Sequence, residues 1–266
     1  MGRRATAPGR RRRDLKEPIM ITFPNESAKY RTAREKLLKK EIELRRAMEE
    51  VAEARRALPP GGLIRQDYEF DGLDGDGRPA KIKLSELFAP GKDSLILYNM
   101  MFPRHPQEKR EVATSGDTAK LARQDQPCPS CTALLDQFDG AVGHLQAAGF
   151  NFAVVGKTAL ENLVTLGRDR GWRNMRLVSS ASNSFKRDYN AEAADGSQIP
   201  LLSVFHRDGE GIRHFWSSEL DFAPTEPGQD PRSLGTCETL WNLMDFTPEG
   251  RPNWNEQLQY GEACCH

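Results

Sequence analysis

Two cysteines separated by two residues, in Cys128-Pro129-Ser130-Cys131, stand immediately before a stretch with helical periodicity. Pro129 suits the first turn of a helix, because a backbone N–H there has no intrahelical acceptor to lose. A cysteine at such a helix start lies beside unpaired N–H groups and the positive end of the helix dipole, which both favour the thiolate. Cys131 follows one turn later, within reach of Cys128 for a disulfide. The sequence therefore predicts an exposed nucleophile, Cys128, with a pKa below the free value of roughly 8.5, and a resolving thiol, Cys131.

A cysteine pair at this spacing also occurs in zinc sites, which need four ligands when structural or three and a water when catalytic. The remaining cysteines and histidines form no second pair at the spacing of a zinc finger or ribbon. An inert, buried thiol pair is a further alternative, but a helix start after a long loop favours a redox role. The sequence accordingly predicts no metal site and no cofactor. The residues excluded as ligands on this ground are Cys237, Cys264, Cys265, His105, His144, His206, His214 and His266.

Charge and hydropathy restrict the classes of partner. The 266-residue chain carries 38 basic and 38 acidic side chains, so no overall field draws it to nucleic acid or to an anionic membrane. Residues 1–26 begin with an arginine-rich stretch without acids, which predicts a basic disordered tail. No run of eighteen apolar residues is present, which argues against a membrane span. The expected location is the cytoplasm, where five scattered cysteines do not indicate a disulfide scaffold.

One long helix is predicted near the beginning of the chain, within residues 27–60. It begins at the N-cap residue Ser27 and ends before Pro59-Pro60-Gly61-Gly62. Apolar residues recur along it at spacings of three, four and seven, which gives one apolar stripe. Two interpretations stay open: an arm that packs along its own domain, or a contact that forms a homodimer.

Residues 61–252 alternate between strand and helix signals, which predicts an α/β domain with a central sheet and crossover helices. Residues 103–126 are polar and irregular and are expected to form an inserted loop. Residues 253–266 are expected to form a C-terminal tail. The predicted strands are 68–70, 82–84, 94–101, 150–155, 176–179, 201–206 and 212–216, and the predicted helices of this domain are 132–148, 159–170 and 236–245.

Ile199-Pro200 comes directly before the strand at 201–206, which is followed by an Asp208-Gly209 turn. This arrangement resembles thioredoxin-fold proteins, in which a cis-proline precedes the strand that faces the cysteine pair. The resemblance implies that Pro200 lies against the dithiol and contributes, with Pro129 and Ser130, to substrate binding. An ordinary trans-proline at the start of a strand is the alternative.

A wider set of motifs resembles the bacterial thioredoxin-like family called domain of unknown function 899. The resemblance extends over nearly all of residues 27–251 and implies a thioredoxin-like fold. This sequence departs from the family's usual pattern in Tyr98-Asn99-Met100-Met101-Phe102 and in Ala133-Leu134, where the family has an aromatic residue. Besides the cysteine pair, the motifs that carry the resemblance are Arg55-Arg56-Ala57-Leu58-Pro59, Tyr68-Glu69-Phe70, Leu84-Ser85-Glu86-Leu87-Phe88, Phe138-Asp139-Gly140, Arg170-Gly171-Trp172, Asp188-Tyr189 and Val204-Phe205-His206-Arg207-Asp208-Gly209.

These features favour a thiol–disulfide oxidoreductase or a thiol peroxidase-like protein. The substrate is then a protein or small-molecule disulfide or a peroxide, and an external thiol reductant restores the dithiol. Peroxidase activity needs a hydrogen-bond donor beside Cys128, for which the sequence offers only Arg123, nearby along the chain. The alternative is a non-catalytic binding or scaffold protein on a thioredoxin fold, and a third hypothesis is a metal-dependent protein. The pKa of Cys128 separates the first two, since an idle thiol has no reason for a lowered pKa.

Overall fold

A computed structural model describes residues 21–260. Most of the predicted basic tail lies outside these residues, as do Cys264 and Cys265 at the predicted C-terminal tail. The chain forms two compact units, with the boundary after Ala57. No helix within residues 21–260 is long and apolar enough to cross a membrane.

The N-terminal unit contains the long helix α1, Ala28–Arg56. The side chain of its N-cap residue Ser27 accepts a hydrogen bond from the N–H of Tyr30 at 3.1 Å, which satisfies one of the unpaired donors of the first turn. Arg55 and Arg56 lie in the last turn, where positive charge suits the helix dipole. None of the residues of α1 is buried. The choice between an arm and a dimer contact therefore stays a prediction.

The second unit is built on one seven-stranded sheet in the order β2-β1-β5-β4-β3-β6-β7. Strands β3, β4 and β5 are mutually parallel, whereas β6 and β7 are antiparallel and β1 and β2 form an antiparallel hairpin that pairs with β5. The strands are β1 (Glu69–Leu73), β2 (Pro79–Lys83), β3 (Ser94–Asn99), β4 (Asn151–Gly156), β5 (Arg176–Ser179), β6 (Leu201–Asp208) and β7 (Gly211–Ser217), and the helices are α2 (Pro129–Ala147), α3 (Leu160–Arg170), α4 (Phe185–Asp188) and α5 (Thr239–Met244).

The predicted α/β class, with a thioredoxin-like central sheet flanked by helices and a long N-terminal helix, is confirmed. The chain passes from β3 through the loop at 103–126 and α2 to the parallel strand β4, while β6 returns antiparallel on the other side of β3. Asn99 at the end of β3 pairs with Leu201 at the start of β6. The residues before β6 therefore lie at the same end of the strands as the chain that leads from β3 to α2.

Side chains of β3 alternate between two hydrophobic clusters, as expected of a strand whose two faces are both covered. Leu95 and Leu97 belong to the cluster that contains Phe185 and Phe205. Tyr98 belongs to the other cluster, which also holds both cysteines of the pair and the apolar face of α2. The thiols are thus part of a packed core.

Two regions differ from the predicted picture. Residues 253–260 do not extend away from the domain, because Glu256 and Leu258 are buried and Arg170 donates to the carbonyl oxygen of Leu258 at 2.7 Å. The predicted helix at 236–245 is shorter, with a turn of 3₁₀-helix before α5. Residues 253–260 are therefore part of the folded domain, and Glu256 contacts the start of α2.

Candidate active site

Cys128 is the N-cap residue of α2 and Pro129 occupies the first turn, as the sequence predicts. The N–H of Cys128 donates to the carbonyl oxygen of Met101 at 3.0 Å, and the N–H of Thr132 donates to the carbonyl oxygen of Cys128, also at 3.0 Å. The first of these bonds joins the start of α2 to the chain leaving β3, and the second is the first hydrogen bond of the helix itself. Cys128 and Cys131 are both thiols, with no disulfide between them.

The expectation of an exposed nucleophile is wrong for this structure. Cys128 is 1% exposed and Cys131 is 2% exposed. Arg110, from the inserted loop, and Glu256, from the C-terminal segment, both lie over the start of α2. Residues distant in sequence therefore cover the thiol, which a helix start by itself would leave open to solvent.

The environment of Cys128 nevertheless favours its thiolate. A hydrogen bond from the Cys131 thiol lowers the pKa of Cys128 to about 7, helped by the backbone N–H groups of Cys131 and Ser130 and by the charge of Arg110, while burial opposes the shift. The direction agrees with the prediction, and so do the N–H groups of the first helical turn. The contribution of Arg110 was not predicted.

Arg110 lies over the start of α2 and also contacts the sulfur of Cys128. Its Nη2 lies 3.8 Å from the Sγ atom of Cys128, and its Nη1 donates to the hydroxyl oxygen of Ser130 at 2.8 Å. Ser130 in turn donates to a carboxylate oxygen of Glu256 at 3.0 Å. Glu108 binds the same guanidinium, which holds the pKa of this carboxyl down at about 2. One cation thus faces Cys128 while two carboxylates neutralise it from behind.

Arg123, the donor suggested by sequence proximity, has a different place. Its guanidinium donates to the carbonyl oxygens of Lys109 and Arg110 at 2.7 and 2.9 Å, so it holds the backbone of the loop that carries Arg110. Sequence reasoning missed Arg110 because residues 103–126 show no periodicity that would fix their position.

Cys131 is also buried and is held as a thiol. Burial raises its pKa well above the ordinary value, and the adjacent Cys128 adds to the rise. Its sulfur accepts hydrogen bonds from the hydroxyl of Tyr98 at 3.3 Å and from the N–H of Met101 at 3.5 Å. The two thiols therefore differ in acidity, which suits one as attacking group and the other as proton donor to it.

A cavity of about 150 Å³ reaches the dithiol from the side of Cys131. Ser130 and Pro200 line it, as their predicted role in substrate binding requires, whereas Pro129 is buried and does not line it. The peptide bond before Pro200 is trans, since the only cis bond within residues 21–260 joins Phe102 to Pro103. The cavity wall further includes Tyr98, Met101, Leu134, Gln137, Asp221, Ser233, Leu234, Glu238, Trp241 and Glu256.

A larger cavity, of about 700 Å³, is lined by Tyr68, Tyr189 and His214 among others and by none of the residues of the cysteine pair. Although this cavity is larger than the one at Cys131, no thiol lines it, so it is not the candidate active site. Within residues 21–260, no group of three or more histidine, cysteine, aspartate or glutamate side chains is arranged to hold a metal ion.

Solved structures with partial similarity include several peroxiredoxins. The reduced 2-Cys peroxiredoxin of Plasmodium vivax is 14% identical over 58% of this chain and 82% of its own, with a TM-score of 0.40. A cysteine-to-serine mutant of peroxiredoxin Q from Xanthomonas campestris is 15% identical over 59% of this chain and 83% of its own, with a TM-score of 0.38. AhpC of Enterococcus faecalis is 11% identical over 73% of this chain and 98% of its own, with a TM-score of 0.42. Similarity at this level carries no information on activity.

The sequence matches none of the curated proteins with which it was compared. A family described as "Bacterial protein of unknown function (DUF899)" matches residues 20–262. The chain belongs to this family.

Proposed function

We propose that this member of the DUF899 family is a thiol–disulfide oxidoreductase in which Cys128 attacks the substrate and Cys131 resolves the intermediate. The observation that carries the proposal is the opposite shift of the two thiols: the pKa of Cys128 is lowered to about 7, whereas that of Cys131 is raised. A thiolate is the nucleophile in disulfide exchange. At neutral pH this arrangement gives one reactive thiolate and one thiol in reserve.

The reaction with a disulfide balances in two displacements. The Cys128 thiolate attacks one sulfur of the substrate disulfide, forms a mixed disulfide and releases a thiolate that takes up a proton. Cys131 then loses its proton and attacks the Cys128 sulfur, which releases the second substrate thiolate and leaves a Cys128–Cys131 disulfide. An external dithiol reduces this bond and becomes the disulfide itself. No step requires a metal ion or an organic cofactor.

The residues beside the dithiol support a role in binding the substrate. Pro200 and Ser130 line the cavity at Cys131, and Pro129 is buried in the first turn of α2 beside Ser130. The substrate proposed is a protein or small-molecule disulfide, and a reducing cytoplasm would keep the pair as a dithiol between turnovers.

A hydroperoxide is the second candidate oxidant, and two observations favour it. The guanidinium of Arg110 lies 3.8 Å from the sulfur of Cys128, where it can donate to a peroxide oxygen. Cys128 is almost completely covered, which hinders a bulky disulfide more than a molecule built on two oxygen atoms. The Cys128 sulfur would take one peroxide oxygen as a sulfenic acid, and the other would leave as alcohol or water. Cys131 would then form the disulfide and release water.

The pH dependence of thiol labelling tests the proposal. We expect the labelling rate of Cys128 in the reduced protein to rise with pH and to level off above about 7, because the rate follows the thiolate fraction and the pKa of Cys128 lies there. The measurement is iodoacetamide labelling followed by mass spectrometry of the peptide that carries Cys128.

A redox titration of the same protein supplies the control. The oxidised form should be lighter by two hydrogen atoms, and one two-electron transition should describe the Cys128–Cys131 couple. A labelling midpoint at or above the free value of roughly 8.5, together with no such transition, would favour the scaffold protein with idle thiols.

A further inference from the structure

A completely buried lysine lies behind the dithiol. Lys186, on the short helix α4, has no exposed surface. Its Nζ donates a hydrogen bond to the carbonyl oxygen of Met100 at 2.7 Å. Amines are rarely buried without a carboxylate partner because the charged form loses its hydration, and this nitrogen instead meets a backbone carbonyl at the end of β3.

The same peptide group connects Lys186 to the resolving thiol. The carbonyl of Met100 and the N–H of Met101 belong to one amide, and that N–H donates to the Sγ atom of Cys131 at 3.5 Å. The atoms therefore form a continuous chain from the lysine nitrogen through the amide to the sulfur. A hydrogen bond to an amide oxygen polarises the amide and strengthens its N–H as a donor.

Charges around Lys186 come from three elements. Burial lowers its pKa to about 7, and the nearby charge of Lys157 acts in the same direction. Cys131 and Glu192 act in the opposite direction. Glu192 is itself occupied by ion pairs with Lys157 at 3.1 Å and Arg187 at 2.7 Å. Within residues 21–260, Lys186 therefore forms no ion pair with a carboxylate. Besides Glu192, Cys131 is the acidic group whose charge raises the pKa of Lys186.

We propose that Lys186 is a positioning residue for Cys131: its amino group, by donating to the carbonyl of Met100, polarises the Met100–Met101 amide and favours a negative charge on the Cys131 sulfur. The inference rests on the proposed function, because the thiolate of Cys131 matters in the step that resolves a mixed disulfide. In that step Cys128 no longer accepts the Cys131 proton, so the proton must leave to solvent. The coupling is reciprocal, since a thiolate at Cys131 favours the charged form of Lys186 equally.

The test uses the full chain with Cys128→Ser, which imitates the uncharged sulfur of the mixed disulfide. The thiolate of Cys131 is titrated by its absorbance near 240 nm, as the difference from the Cys128→Ser/Cys131→Ser protein. Adding Lys186→Met is expected to move the Cys131 midpoint upward by about one pH unit, which is tenfold less thiolate at a given pH below the midpoint. Lys186→Gln keeps a hydrogen-bond donor and should move the midpoint less than Lys186→Met does.

Arg176→Met provides the matched control, since Arg176 also donates to a backbone carbonyl, that of Glu86, but at the opposite end of the parallel strands. It should leave the Cys131 midpoint unchanged. A midpoint unmoved in Lys186→Met would overturn the inference, and so would a shift of equal size in the Arg176 variant. If Lys186→Met fails to fold, Lys186→Leu, which also lacks a donor, decides in its place.

This titration is independent of turnover. Should Cys128 prove unreactive in the wild-type protein, the oxidoreductase proposal fails while the coupling between Lys186 and Cys131 is still measured. If Cys128 reacts normally and substitution of Lys186 leaves the Cys131 midpoint unchanged, only the positioning role fails. The two results are therefore distinguishable.

Discussion

Replacement of Cys131 by serine is expected to trap a mixed disulfide on Cys128, whereas replacement of Cys128 by serine should nearly abolish adduct formation. The first variant keeps Cys128, to which the introduced serine hydroxyl can donate in place of the Cys131 thiol, and it loses the group that resolves the adduct. The second keeps only Cys131, whose pKa is raised by burial. A thiol with the free pKa of roughly 8.5 is about 3% ionised at pH 7, and burial lowers this fraction further for Cys131, compared with about half for Cys128. The higher nucleophilicity of a more basic thiolate recovers part of this difference, so we expect adduct formation to fall at least about tenfold.

Intact-mass spectrometry after brief exposure to a small disulfide at neutral pH measures both variants. Cys237→Ser is the matched control, because Cys237 is a third cysteine of the described chain and lies outside the proposed reaction. It should behave as the wild-type protein does. If the Cys128→Ser and Cys131→Ser variants form the adduct equally fast, the assigned roles of the two cysteines are wrong. If neither variant reacts faster than a free thiol, the oxidoreductase proposal is wrong.

The largest effect from a residue outside the cysteine pair is expected at Arg110. In Arg110→Gln the cation at 3.8 Å from Cys128 is lost, and the carboxylates of Glu108 and Glu256 remain at the site without it. The sulfur loses one nearby positive charge while both carboxylates stay, which raises the pKa of Cys128. A rise of one to two pH units reduces the thiolate at pH 7 by roughly ten- to a hundredfold, and the rate of mixed-disulfide formation should fall in proportion.

A charge-matched variant separates this field from simple loss of structure. Arg110→Gln/Glu108→Gln removes one of the stranded carboxylates and should recover part of the rate lost in Arg110→Gln. Arg168→Gln removes an arginine that pairs with Asp117 on the surface, and should react as the wild-type protein does. No recovery in the double variant, with both proteins folded by circular dichroism, would contradict the electrostatic role of Arg110.

Because Cys128 is covered, a disulfide and a peroxide differ in how easily they reach its sulfur. Arg110, Ser130 and Glu256 form one hydrogen-bonded group over the start of α2. A disulfide must displace part of this group to align with the Cys128 sulfur, whereas a peroxide needs less space. Comparing the second-order rates of a small disulfide and hydrogen peroxide in the Cys131→Ser protein would therefore rank the two candidate substrates.

The amino-acid sequence by itself determined most of the elements and the position of Cys128 at the start of its helix. Ser27 and Cys128 were placed as helix N-caps because capping depends on a few adjacent residues. The strands and the hairpin at β6 and β7 followed from apolar runs and the turn at Asp208-Gly209, which are also local signals. The lowered pKa of Cys128 was predictable in direction, since the N–H groups of its own helix contribute to it.

Tertiary structure decided what surrounds that thiol. Arg110 reaches Cys128 from an irregular loop, Glu256 reaches Ser130 across 126 residues, and Lys186 reaches Met100 across 86. No periodicity or turn signal fixes such contacts, because they depend on where a loop, a terminal segment and a short helix pack against the sheet. The burial of Cys128 and the trans peptide before Pro200 depend in the same way on packing. Local sequence therefore determined the proposed nucleophile, Cys128, and long-range packing determined the charges around it and the groups that restrict access to it.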